Sequence, residues 1–231
     1  MMALDLPLWL IHLLNKLARG FFWAGLDCAR RGQCVVAWDS VCTPVEYGGL
    51  GFLNLKLLNN AFRSKWLWEA KTSDNLPWTH LDLAVSKEAR AIFHASVRIE
   101  LHDGRKSLFW TDPWISGLSI QDIAPALFAF VKPKAARIRL VADARVGSSW
   151  MRDLSGYQTV GAILQYLRIW ELIAAEQPLT VGEDKWIWKW TSSGIHSCKS
   201  AYSVAFEGRI NCGWTRYVWK PWAPMKFKLF F

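Results

Sequence analysis

Between Leu6 and Trp23 the chain reads LPLWLIHLLNKLARGFFW, and its polar residues His12, Asn15, Lys16 and Arg19 fall at i, i+3, i+4 and i+7. That spacing predicts an amphipathic helix with one narrow polar stripe. Pro7 suits its first turn and Gly20 weakens its last. A helix this apolar needs most of its circumference buried, in this chain or in a partner. A second helical period, Leu55, Leu58, Phe62 and Trp66 with Ala61 beside them, runs through LKLLNNAFRSKWLWEA, and Asn54 is placed to cap it. Residues 38–53 form the connector. Gly48, Gly49 and Gly51 there predict a tight chain reversal, since neither glycine-rich phosphate-binding pattern is present.

The period changes at Val97. Val97, Ile99 and Leu101 alternate with Arg98, Glu100 and His102, the signature of a half-buried strand. Asp103-Gly104 is a strong turn signal, so Lys106 to Trp110 is expected to return as the second strand of a 97–110 hairpin. A short helix is predicted near Ser86 to His94, after a loop around Asp74–Pro77. Another is predicted over Ala135 to Asp143. The apolar residues from Trp150 to Leu172 suggest one helix or two, with breaks at Gly161 and Pro178. Trp186, Trp188 and Trp190 alternate with Ile187 and Lys189, a strand with three indoles on one face. Ser192-Ser193-Gly194 then turns it into Ile195–Ser197, and Ser197 is placed to cap the helix CKSAYSVAF. The expected fold class is α+β, mostly helical, with small antiparallel hairpins packed by tryptophans. The face of Trp186, Trp188 and Trp190 can serve as a base-stacking platform, but packing under the helix of Tyr202 and Phe206 is the plainer role.

Composition narrows the class. The 231 residues are 52% apolar and 20% charged, enough for a sizeable core and unlike a disordered polar chain. Sixteen tryptophans exceed what such a core needs. The net charge of +9 is concentrated in two segments. Residues 132–145 hold Lys132, Lys134, Arg137, Arg139 and Arg145 against Asp143 alone; residues 208–231 hold five basic residues, Lys226 and Lys228 among them, and no acid. A basic excess attracts polyanions without specifying sequence, although it also serves as a solvated face. Lys132, Lys134, Arg137, Arg139, Lys226 and Lys228 are therefore the candidate nucleic-acid contacts, with Arg63 and Lys65 as additions.

Other chemistry is sparse. Cys28, Cys34, Cys42, Cys198 and Cys212 make an odd set without framework spacing, which points to a reducing compartment, nucleus or cytoplasm. No C-x-x-C pair occurs, so no zinc site is expected within the chain. No membrane span or signal peptide is expected either. Asp103 and Asp112, with His102, could share a metal or acid–base work. Turn formation explains Asp103 and Asp112-Pro113 better.

Several motifs share one resemblance. FFWAG (21–25), then W-D-x-V-C-x-P, GGLG and N-x-A-F-x-x-K-W-L-W within residues 38–69, stand together with D-G-x-x-x-x-F-W-x-D-x-W (103–114) and Pro125–Phe128. This ordered set resembles the segment that follows the polymerase core in plant LINE-type (non-LTR) retrotransposon reverse transcriptases. W-x-W, S-x-K-S-A-Y (197–202) and the Trp219–Lys228 stretch resemble the opening of the reverse-transcriptase zinc-binding module. The resemblance implies a thumb-like helical segment over 1–70, a connecting domain over 71–178 and a truncated zinc-binding module over 179–231. The family's zinc ligands would lie beyond Phe231, so no cofactor is implied. The chain lacks the [YF]-x-D-D palm motif and any endonuclease domain, which implies a non-catalytic fragment. Implied partners are RNA or DNA, contacted non-specifically, and the missing polymerase domain. The alternative is an inert or protein-interaction remnant.

Overall fold

The computed structural model describes residues 6–29, 32–34, 36–73, 85–156, 159–213 and 217. These fall into two compact units, one drawn from residues up to Arg63 and from Cys198 onward, the other from Ser64 to Ser197. The thumb-like, connecting and zinc-binding segments are family labels rather than contact units and stay expectations.

In the first unit, helix α1 (Leu8–Ala24) follows Pro7 and ends at Gly25, whose left-handed backbone lets its N–H reach the Phe21 carbonyl at 3.0 Å. Gly20 does more than weaken the helix. A Cβ there would stand 2.6 Å from backbone atoms of residues 26–28, so only glycine lets the chain double back over the last turn. The helix does not bury most of its circumference: Trp9, Leu13, Leu17 and Phe21, four residues apart, are all exposed. Its other side meets an aromatic group in which Phe22 contacts Trp38 and Phe52, and the Trp38 indole donates to Asn15 Oδ1 at 3.2 Å.

The connector is the expected reversal. Helix α2 (Trp38–Val41) and a 3-10 turn (Val45–Tyr47) lead into Gly49, where a Cβ would lie 1.9 Å from the Thr43 carbonyl oxygen. Asn54 caps α3 (Leu55–Thr72) as predicted, its Oδ1 accepting from the N–H of Lys56 and Leu57. Helix α3 contributes to the first unit through Arg63 and to the second from Ser64.

The second unit carries the larger core. Helix α4 (Lys87–Ser96) starts from Ser86, whose hydroxyl accepts from Ala89 N. It runs directly into strand β1 (Val97–Glu100). The 97–110 hairpin does not form. Strand β1 instead pairs antiparallel with β2 (Lys185–Trp188), placing Val97 opposite Trp188 and Ile99 opposite Trp186. Two causes combine. Gly104 has positive φ but Asp103 does not, so the I′ turn fails. The N–H groups of His102, Gly104 and Lys106 are turned to the Asp184 carboxylate instead of a neighbouring strand. The second expected hairpin is likewise absent, for β2 has no strand partner in 195–197; Trp188 N donates to Gly194 O and closes a turn only. The class is α+β and mostly helical, with one two-stranded sheet among the described residues, joined across the chain.

Short helices α5 (Ile120–Ile123), α6 (Pro125–Phe128), α7 (Pro133–Ile138) and α8 (Val141–Arg145) precede α9 (Val160–Ala175). Gly161 sits inside the first turn of α9 and does not break it. Phe109, Trp110 and Trp150 are buried to 1% exposure or less and meet ring to ring at 5.0–6.0 Å. Each such pair adds about 0.5–1.5 kcal/mol beyond its burial. The D-G-x-x-x-x-F-W-x-D-x-W stretch is thus a core nucleus without being a hairpin. Helix α10 (Cys198–Val204) begins directly after Ser197 and belongs to the first unit, where Phe206 packs on Tyr47 and Tyr202.

Candidate nucleic-acid interface

Helix α7 exists because Pro133 occupies its first turn, where the missing N–H is no loss, and because Ala135 and Ala136 favour helix. It lifts Lys134 and Arg137 into solvent, and Lys132 immediately before it is also exposed. Lys132 is anchored: its N–H donates to Asp153 O at 2.9 Å and its Nζ to Arg152 O at 2.8 Å. Together with Arg139 and Arg152, Lys132 and Lys134 border a concavity of about 360 Å³. Arg152 was not singled out from the sequence, because it lies outside the basic run and joins it only through the fold.

Arg139 differs from its neighbours. Its guanidinium forks onto Asp153, with Nε donating to Oδ2 at 2.9 Å and Nη2 to Oδ1. That hydrogen bonding raises the Arg139 pKa above its ordinary value. Asp153, 2% exposed, also accepts from the Trp110 indole at 3.0 Å. The charge of Arg139 is therefore answered inside the fold. Of the suggested additions, Arg63 is 3% exposed and so is not a surface contact, while Lys65 pairs with Glu69 at 3.5 Å. Lys226 and Lys228, the Asp74–Pro77 loop and the Trp219–Lys228 stretch lie outside the described residues.

The acids considered for catalysis have local structural roles. Asp103 Oδ1 accepts from Arg105 N at 3.0 Å, closing its own turn. Asp112, 3% exposed, accepts from Leu108 N and from Lys71 Nζ, both at 2.7 Å. His102 Nδ1 faces the Glu100 carbonyl at 3.1 Å. Among the described residues no group of three or more His, Cys, Asp or Glu gathers as a metal cage would need. No described helix is long and apolar enough to cross a membrane. The five cysteines are free, and burial beside Asp39 raises the Cys42 thiol to about 11.

The tryptophan strand is packed on its inner side. Trp188 is fully buried and Trp186 nearly so, whereas Trp190 lies beyond the strand end and is exposed. Within this unit the covering side chains are Phe93 of α4 and Trp68 of α3; the expected Tyr202 and Phe206 belong to the other unit. Against Trp188, at 4.5 Å, sits His196, whose Nε2 lies 2.9 Å from Ser64 Oγ. Burial, then the nearby Lys65 charge, lowers the His196 pKa to about 4. Neither His196 nor Asp184 was legible as special in the sequence. Asp184 accepts from three backbone N–H groups and from Ser107 Oγ, donors some eighty residues upstream that no local pattern ties to it.

Comparison with known proteins yields one informative relative. The whole chain aligns at 26% identity with the Arabidopsis thaliana protein named "Putative ribonuclease H protein At1g65750", of which the alignment covers 40%. No protein-family model and no solved structure matches. The chain thus resembles, along its whole length, part of a longer plant protein whose name refers to ribonuclease H.

Proposed function

We propose that this chain is a non-catalytic region of a plant LINE-type retroelement reverse transcriptase, running from the segment after the polymerase core into the zinc-binding module. Its activity is weak, non-specific contact with RNA or DNA through Lys132, Lys134 and Arg137. The observation that carries this reading is the row of solvent-facing cations on and beside α7, in a chain similar over its full length to a plant protein named for ribonuclease H. Such contacts act by releasing condensed counterions, so they weaken steeply with salt and carry no sequence preference. Asp103 and Asp112 each hold their own turn, which favours contact over hydrolysis. Titrating the full chain against a labelled single-stranded RNA of mixed sequence at two salt concentrations tests it. Binding at low salt that fades at high salt is expected; no binding at low salt overturns it.

A second reading, a protein-interaction remnant, is favoured by α1, whose exposed Trp9, Leu13, Leu17 and Phe21 form one apolar stripe. The polymerase domain of such a reverse transcriptase is the partner proposed for it. Improved solubility on adding a polymerase fragment would support that reading.

A further inference from the structure

A second concave site lies in the same unit, away from the α7 cations. The end of α3, the β1–β2 sheet and the turn at residues 192–195 line an open groove of about 630 Å³. That volume matches the size of a small-ligand cleft. Its wall carries Lys71, Arg98, Lys106 and Lys185 against Glu183 and Asp184. Four cations stand against these two acids, and one of the four, Lys71, is already answered by Asp112. Asp184 is 6% exposed and its oxygens are spent on four donors of the 102–107 loop. The Glu183 side chain is 78% exposed and meets Lys106 at only 3.4 Å, a loose pair that solvent screens. Arg98 has a similarly loose pair with Glu100 at 3.4 Å, both groups about half exposed.

The groove also holds donors in place. Lys71 Nζ is fixed 2.7 Å from Asp112 and lies 5.0 Å from the centre of the Trp186 ring. Trp186 lines the groove, is 7% exposed, and its Nε1–H finds no acceptor among the described residues. An unanswered buried donor is costly unless a ligand or water completes it. Ser192 and Ser193 add hydroxyl-bearing side chains at the rim.

We propose that this groove binds a phosphate ester, the phosphodiester of a single-stranded polynucleotide, with Arg98 and Lys185 as the phosphate contacts. The proposal rests on the nucleic-acid reading above and gives it a second, separate site. Arg98 and Lys185 stand on the solvent side of the sheet, so replacing them leaves its packed tryptophans untouched. The test uses the full chain, fluorescence anisotropy with labelled hexauridylate, and two double variants: Arg98→Gln/Lys185→Gln in the groove and Lys134→Gln/Arg137→Gln on α7. The groove variant should lose about fivefold or more in affinity, and its log-affinity against log-salt slope should flatten by about 1.5. Competition by unlabelled hexauridylate alone supports the assignment to a polynucleotide; equal competition by uridine monophosphate at the same concentration overturns it. If the parent chain binds RNA and only the α7 variant weakens it, the groove proposal is overturned while the general reading stands. If the parent chain binds no RNA at low salt, the general reading itself fails.

Discussion

The Asp184 loop and helix α7 lie in one unit and use charge in opposite ways. Asp184 is buried and all its hydrogen bonds run to residues 102–107, so its charge organises backbone. Lys134 and Arg137 on α7 face water, and among the described residues neither forms a salt bridge. A buried carboxylate must be matched in place or it is costly, whereas a solvated cation is tolerated anywhere and is left available for a partner. Arg139 stands between the two cases, sitting in the basic run while forked onto buried Asp153. Belonging to a charged run therefore says little about a residue's role; the partner it meets says much more.

The largest expected effect that would break this contrast is at Asp184. Asp184→Ala strips the acceptor from four donors and should cost about 3–5 kcal/mol, read as a lowered denaturant midpoint. A change under about 1 kcal/mol would show that the loop is held by something else. Next comes Asp153→Ala, which leaves the Trp110 indole and Arg139 without their shared acceptor. About 2–4 kcal/mol should be lost, and Arg139→Met/Asp153→Leu should recover part of it, because removing both partners leaves no orphaned charge.

His196 gives a smaller, pH-dependent effect. Its folded pKa is lowered to about 4 from an ordinary 6.5, so the fold holds a neutral ring while the unfolded chain takes up a proton. Its contribution is full above pH 6.5 and lost as pH falls towards 4, on the order of 2–3 kcal/mol in all. Unfolding midpoints measured between pH 7 and 4 should show that decline, and His196→Gln should flatten it. The smallest stability effect belongs to Lys134→Gln/Arg137→Gln. The denaturant midpoint should stay put while the salt-dependence slope of RNA binding drops by about 1.5. A shifted midpoint with unaltered binding would reverse the roles assigned to the two regions.

Much of the local architecture was legible. The helix over Leu55–Thr72 follows from its apolar period and the Asn54 cap, and Ser86 opens α4 where the pattern placed it. The reversal at residues 48–51 follows from its glycines, since no Cβ fits at Gly49. The errors share one physical origin. Asp103-Gly104 promised a hairpin on local grounds, yet the N–H groups around it found Asp184, and Val97–Glu100 found Lys185–Trp188 instead. Phe93 and Trp68, which no local pattern ties to the tryptophan strand, pack against it.

Helix periods, caps, the glycine reversal and the mostly helical α+β class follow from neighbours three or four residues apart. Which strand pairs with which, which acids are buried and which basic residues stay in solvent follow only from the folded chain. Those outcomes depend on groups up to about eighty residues apart whose hydrogen bonds and burial compete, and a single distant carboxylate is enough to outweigh a favourable local turn.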